Sequence, residues 1–496
     1  MLARLRTPKG MALAVLAALL LGLASVLPQW LRLAQSVQVY LYGYPLVIMG
    51  VTRDVMSSPQ ALSQPAGQRK PGVGPVNQFT HIRKFPDHSF RDVVSPNADT
   101  LYSIAWLDLS AGPLVLHLPD MQGRWVLMEM LDAWTNAYAS LGTRVYGGGP
   151  RDYLITGPDW KGTVPAGMTH VPSPTRMGWM LGRTYTRNEA DFAAVHRFQD
   201  QYLLRPLDGA APGAAASAQT PAIAVDVQTP PVRQLAAMDA RAFYTRLLAL
   251  MQDNPPAMAD GPLLQKMERL GLHPGAPLAW DALRADQQAV LQTGLELSRA
   301  LLDSAAPGTQ GELRLSALQA QAMQLFAQLM RKAGMSTVNG WGLPLNLGVY
   351  DTNYPLRAVV ALLGLGANVA ADAVYPVTTV DADNAPLDGR NRYVLHFAAH
   401  EIPPAGAFWS LSMYNSESFF VDNPIRRYAI GDRDALSFQA DGSLDLWIQA
   451  DPPGDAQKSN WLPAPRGPFR LMLRIYDPKP EVLNRQWPPP APRRLH

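Results

Sequence analysis

The sequence predicts a β-rich α+β protein: two β-sandwich, jelly-roll-like domains with a helical insertion, preceded by an N-terminal hydrophobic helix. Three observations predict it. The 45 prolines and 38 glycines imply many turns and short elements, which favours strands over a helical bundle. Short apolar runs alternate with turn signals over residues 101–182 and return over 393–476, the spacing of a sandwich. Between these regions the apolar residues change to helical spacing. With 496 residues, 47% hydrophobic and 17% charged, the chain has the material for a large core and two or three domains.

Arg4, Arg6 and Lys9 precede the uncharged run Met11–Leu27, a positive region followed by an apolar one. The run sits at the lower edge of spanning length. Its positive flank predicts a cytoplasmic N-terminus with the bulk outside. Ala24-Ser-Val26 is a mediocre cleavage site, so residues 1–29 read first as a signal-anchor and second as a signal peptide whose cleavage secretes the protein. A buried helix is disfavoured because the run has no polar face. Residues 30–56 read as a helix that Tyr40-Leu-Tyr-Gly-Tyr-Pro45 ends or breaks. Residues 57–76 read as a loop.

Strands are predicted at Leu101–Leu109, Leu114–Leu118, Trp125–Leu131, Tyr153–Thr156 and Gly178–Thr184, and a helix over 188–204, completing a first domain at 30–206. The Ala-, Pro- and Gly-rich stretch 207–231 is a linker. Helical spacing at Ala240–Gln252, Gly261–Leu270, Trp280–Asp303 and Ser316–Lys332 makes 207–338 a linker and helical segment. The second domain, 339–496, opens with a helix over Asn353–Gly366. Strands follow at Tyr393–Ala398, Phe408–Tyr414, Leu444–Ala450 and Phe469–Tyr476. Asp441-Gly442 predicts a hairpin turn between strands Leu436–Gln439 and Ser443–Ile448. The proline-rich tail from Trp487 is expected to run extended across the surface.

Composition narrows the function. There is no cysteine, which excludes disulfides, thiolate metal sites and a cysteine nucleophile. The formal charge of +3 is small and no basic stripe carries interleaved aromatics, so nucleic acid is not an expected partner. Nucleophile-elbow, P-loop and dinucleotide motifs are lacking; Gly364-Leu-Gly366 wants its third glycine.

Polar groups crowd the stretch His81–Tyr102, just before a predicted strand, and groups this dense need partners or a ligand. His81, His88 and Asp87 or Asp92 offer metal-ligand types, but Pro86 argues against a helix and no HExxH spacing is present, so no metal is assigned. Arg83 and Arg91 are expected to pair with Asp87 and Asp92. In Asn97-Ala-Asp-Thr-Leu-Tyr102, one reading is a turn in which Asn97 and Asp99 satisfy backbone N–H groups. The other is a pocket with Asp99 as base and Tyr102 as donor. Among Trp409, Tyr414, Asn460, Trp461, Arg474 and Tyr476, most suit core packing. Arg474, between Leu473 and Ile475, either faces solvent or is a paired interior charge.

The motifs Tyr42-Gly-Tyr-Pro45, Asn77-Gln-Phe-Thr-His81, Ser95-Pro-Asn-Ala-Asp-Thr-Leu-Tyr102 and Gly142-Thr-Arg144 resemble the family of unknown function DUF1254. Tyr350, Phe408-Trp-Ser-Leu-Ser-Met-Tyr414, Asp441-Gly-Ser443, Asn460-Trp-Leu-Pro463 and Leu473-Arg-Ile-Tyr476 resemble its usual companion, DUF1214. The resemblance spans roughly residues 40–490. It implies two β-sandwich-like domains around a helical segment and supplies neither a reaction nor a cofactor.

The resulting expectation is an exported envelope protein, tethered to the membrane through residues 11–27, without a cofactor and compatible with oligomerisation. One function is hydrolase-like acid–base chemistry on a small organic or glycan-like molecule. Asp99 and Tyr102 would be catalytic, and His81, Arg83, Asn97, Arg144, Tyr414 and Arg474 would bind substrate. The alternative is a non-catalytic envelope binding or assembly protein.

Overall fold

The computed structural model describes residues 8–65, 69–91, 94–209, 225–305 and 337–495, without side chains for 8–28 and 304–305. The helices are α1 (Pro8–Ser57), α2 (Pro59–Leu62), α3 (Thr143–Tyr146), α4 (Phe192–Gln199), α5 (Pro231–Ala237), α6 (Ala240–Asp253), α7 (Gly261–Arg269), α8 (Ala285–Ala305), α9 (Tyr354–Leu363) and α10 (Pro480–Leu483). The first-half strands are β1 (Thr80–His81), β2 (Thr100–Asp108), β3 (Leu114–Leu118), β4 (Val126–Asp132), β5 (Ala137–Gly142), β6 (Arg151–Thr156), β7 (Thr169–Pro172), β8 (Met177–Tyr185) and β9 (Leu203–Pro206). The second-half strands are β10 (Thr337–Val338), β11 (Trp341–Gly342), β12 (Ala373–Val374), β13 (Val377–Thr378), β14 (Arg392–Phe397), β15 (Ala405–Asn415), β16 (Ala429–Gly431), β17 (Leu444–Gln449), β18 (Trp461–Pro463), β19 (Phe469–Pro478) and β20 (Arg493–Leu495).

The strands form four mostly antiparallel sheets, none closed into a barrel among the described residues. In the first half, sheet β1-β2-β8-β4-β5 shares a core with sheet β7-β6-β3-β9. Alternate residues supply it: Ala105 and Leu107 from β2, Met128 and Met130 from β4, Leu114 and Leu116 from β3. In the second half, β10-β11-β13-β19-β15-β16 packs with β18-β17-β14-β20 over Leu411, Met413, Leu446 and Leu473.

Eight strands of the second half, β13–β20, repeat β2–β9 of the first in the same order. The order β2-β8-β4-β5 corresponds to β13-β19-β15-β16, and β7-β6-β3-β9 to β18-β17-β14-β20. The parallel pairs β6–β7 and β17–β18 also correspond. Small details recur. His117 lies opposite Asp152, and His396 opposite Asp445, each pair hydrogen-bonded. Asp132 accepts the backbone N–H groups of Trp134 and Asn136, and Asn415 those of Glu417 and Phe419. Each loop then places a non-glycine residue, Thr135 or Ser418, in the left-handed region.

The predicted helix at 30–56 does not break at Pro45; α1 runs through it. An interior proline costs ~3 kcal/mol, but Val39, Leu41, Leu46, Val47, Ile48 and Met49 are all buried here, each worth ~1.5–3 kcal/mol. Gly43 lets α6 approach, since a Cβ there would strike Leu247. Together α1, α5–α8 and α9 cover the outer face of the first large sheet, against Trp106, Trp179 and Leu181. Leu436–Gln439 is not a strand, although Gly442 N–H does close the predicted turn onto the Gln439 carbonyl. The tail is extended and adds β20 beside β14.

The expected helix Ser316–Lys332 lies outside the described residues. The side chains of Met11–Leu27 lie outside them as well. Among the described residues, no helix is long and apolar enough to cross a membrane.

Candidate functional site

Asp99 stands at the entrance of β2, fully buried, where the first half meets the second. Asn97 shapes the approach: its Oδ1 accepts the N–H groups of Asp99 at 2.6 Å and Thr100 at 3.2 Å, a local Asx turn. The Asp99 carboxylate is then claimed by the other half. Arg433 reaches Oδ1 at 2.6 Å. Ser410 Oγ donates to Oδ2 at 2.8 Å and Tyr476 OH at 3.1 Å. Burial by itself raises the pKa of this carboxyl, but the charges of Arg433 and Arg474 outweigh burial and hold it below its ordinary value.

The remaining candidates extend the same layer. Asn97 Nδ2 has the hydroxyls of Thr100, Tyr102 and Tyr476 within hydrogen-bonding distance, at 3.1, 3.2 and 3.1 Å, for its two N–H groups. Arg474 is an interior charge. It donates to the Ser95 carbonyl at 2.8 Å and to Tyr414 OH at 2.7 Å, and Tyr414 OH donates to the Pro96 carbonyl at 2.8 Å. Arg183 was not legible as a site residue. It donates to Glu129 at 2.8 Å, to Tyr102 OH at 3.3 Å and to the Gly366 carbonyl at 3.3 Å. Burial raises the Glu129 pKa to about 7 despite Arg183, with Asp372 adding repulsion.

These groups obey the internal repeat. Arg183-Thr-Tyr185 ends β8 as Arg474-Ile-Tyr476 runs in β19. Each guanidinium lies over a tyrosine ring of the neighbouring strand segment, Arg183 over Tyr102 at 5.3 Å and Arg474 over Tyr375 at 5.2 Å. The ion pairs are reciprocal. Asp99 of the first half binds Arg433 of the second, and Asp372 of the second binds Arg144 of the first at 2.6 Å. Arg144 and Arg433 each lie two residues after a glycine, Gly142 or Gly431, whose Cβ would collide with a carbonyl oxygen of the adjoining strand. Such exchange of equivalent contacts is the signature of a pseudo-twofold interface. The segment before β2 crosses the second half, and the segment before β12 crosses the first.

His81 and Arg83 lie apart from this layer. His81 Nδ1 is 2.9 Å from Ser103 Oγ, and burial lowers its pKa to about 4. The expected partners in 81–92 are corrected. Arg83 pairs with Asp200 and Gln199, Asp87 accepts from Ser89, and Arg91 lies over Phe419. Long-range packing supplies these partners, and Asp92 is outside the described residues. Among the described residues no cluster of three metal-ligating side chains forms.

Surface clefts among the described residues include two that bear on these candidates. One of about 220 Å³ lies between α1, α6 and the end of β2, with Arg176 and Arg246 already paired to Asp253 and Asp54. The other, of about 390 Å³, lies between β5 and β7 and includes Arg144. Asn97, Asp99, Tyr102, Tyr414 and Arg474 line neither.

Comparison with known proteins agrees with the sequence motifs. Residues 76–206 match the protein family of unknown function DUF1254, and residues 372–480 match the protein family of unknown function DUF1214. The chain therefore carries the pair of domains that its motifs resemble. A crystal structure of a protein from Vibrio parahaemolyticus has a TM-score of 0.65 at 21% identity, covering 94% of this chain and 100% of its own. That likeness is one of fold. An uncharacterised protein from Burkholderia cenocepacia gives a TM-score of 0.38 at 13% identity, covering 97% of this chain and 98% of its own. No curated protein matches the chain.

Proposed function

We propose that this is a non-catalytic recognition protein of the cell envelope, tethered by Met11–Leu27 with its bulk outside the cytoplasm, each half a jelly-roll-like sandwich. The observation that carries the reading is the state of Asp99. A general base needs a reachable lone pair and a pKa near the working pH. Asp99 is buried, below its ordinary pKa, and engaged with Arg433, Ser410 and Tyr476. Such a carboxylate fastens two halves together. It leaves a rigid double body on a membrane stalk, a form suited to presenting a binding surface.

Two measurements test this. Fractionation with protease accessibility should find the intact protein in the membrane, with the bulk degraded only from outside. An intact soluble cytoplasmic protein would sink the envelope reading. A ligand found by screening the detergent-solubilised full chain should be recovered chemically unchanged. Turnover that Asp99→Asn abolishes without unfolding would restore the enzyme reading.

A further inference from the structure

The two halves differ at one rim, and from this difference we infer a ligand site: the cleft between β5 and β7 takes a small hydroxyl-rich, glycan-like molecule. The inference deepens the recognition reading and rests on it. Both strands are the last of their sheets, and the cleft between them is about 390 Å³, within the range of small-ligand sites.

In the second half the corresponding rim is bridged. Arg427 donates to the carbonyls of Lys458, Ser459 and Trp461, at 3.3, 3.1 and 2.8 Å. Trp461 is buried beneath, with its indole N–H on the Gln449 carbonyl at 2.9 Å. Position along each strand shows what stands in place of these residues. Counted back from the glycine that ends each edge strand, Arg427 and Tyr138 both stand four residues before it, Gly431 or Gly142, although a bulge between Met130 and Leu131 leaves Tyr138 the unpaired residue of β5. Trp461 pairs with Trp447, two residues beyond Asp445; His170 pairs with Leu154, two beyond Asp152. Where the second half has its bridging arginine, this edge of β5 carries Ala137 and the bulged Tyr138. The buried tryptophan has become an exposed histidine, whose Nε2 lies 3.0 Å from Thr156 Oγ1.

The lining indicates the ligand class. Ser140 Oγ and Arg144 Nε both donate to the buried Asp372 carboxylate, so the guanidinium charge is compensated in place. Arg144 is 29% exposed, which leaves it able to meet a further acceptor. An anion would be opposed by the charges of Asp372 and Asp477 behind Arg144, and a cation by Arg144 itself, the one charged side chain of the lining. A neutral polyol needs donors and acceptors together with aromatic surface, and Tyr138, Tyr146 and His170 supply the rest. Trp160 lies beside His170, with ring centroids 5.6 Å apart.

The test uses the full chain in detergent, with saturation-transfer NMR observed on maltose, cellobiose and chitobiose. At least one disaccharide should bind. The double variant Tyr138→Arg, His170→Trp installs the second half's residues and should weaken that binding at least ~10-fold, equivalent to ~1.4 kcal/mol. If the double variant does not fold, His170→Trp alone should give the same direction of effect. Absence of signal for all three sugars overturns the proposal. Binding unchanged in a folded closing variant overturns the site and leaves the recognition reading standing. Cleavage of a bound sugar would instead overturn the non-catalytic reading while supporting the cleft.

Discussion

Replacing Asp99 with Asn keeps the shape of the side chain and removes its charge. Arg433, whose side chain is 7% exposed, then loses the carboxylate it is paired with and keeps only the more distant charges of Asp434 and Asp432, and Arg474 lies nearby. Breaking a buried pair from one side costs ~3–5 kcal/mol, because the surviving charge is neither solvated nor paired. Asp99→Asn should therefore destabilise the junction by that amount. Arg433→Met should cost a similar amount, since Asp99 keeps only Ser410 and Tyr476 as direct donors. The double variant should lose less than the sum, with a coupling of ~2–3 kcal/mol. Urea unfolding of the full chain, followed by tryptophan fluorescence, measures this on the first transition. The pH dependence has a fixed sign. The folded pKa is depressed, so the stabilisation is present above the ordinary value of 3.8 and is lost as pH falls through the folded value. A loss under ~1 kcal/mol for Asp99→Asn, the size of a surface pair, would refute the lock.

Three further outcomes follow from the same geometry. Asp372→Asn should cost less than Asp99→Asn, ~1–3 kcal/mol, because Arg144 is partly exposed and water can solvate it; an equal or greater loss in the same urea assay contradicts this. Glu129 titrates in the folded protein at about 7 against 4.5 ordinarily, so folding takes up a proton between these values and stability falls as pH rises through that window. The difference in stability between wild type and Glu129→Gln should change by up to ~3 kcal/mol from pH 4.5 to pH 7, and a flat difference contradicts it. Gly431→Ala should destabilise by ~2 kcal/mol or more, since its Cβ meets the Trp409 carbonyl oxygen; an unchanged melting temperature would refute the close approach.

Much of the fold was legible along the chain. Leu114–Leu118 and the starts of α6, α7 and β17 lie where apolar spacing and turn residues put them. Pro45 misled because a local penalty was outweighed by the burial of a whole helix face. Of the residues singled out along the chain, Asn97, Asp99, Arg144, Tyr414 and Arg474 join one interface, while His81 and Arg83 lie apart from it. Their role was not legible. The partners of Asp99 lie more than three hundred residues away, at Ser410, Arg433 and Tyr476. The repeat left only faint traces, such as Val-Leu-His in β3 and β14 and Arg-x-Tyr in β8 and β19.

The sequence by itself determined that this chain builds two β-rich halves around a helical segment. Hydrophobic periodicity and turn chemistry act over a few residues and need no knowledge of the partner surface. Only the tertiary structure decided what the polar residues do. Whether a buried carboxylate is a base or a fastener depends on which groups surround it, and here they come from the other half of the chain. The same pairing of halves exposed the rim between β5 and β7, because an opening is recognisable only beside its closed counterpart.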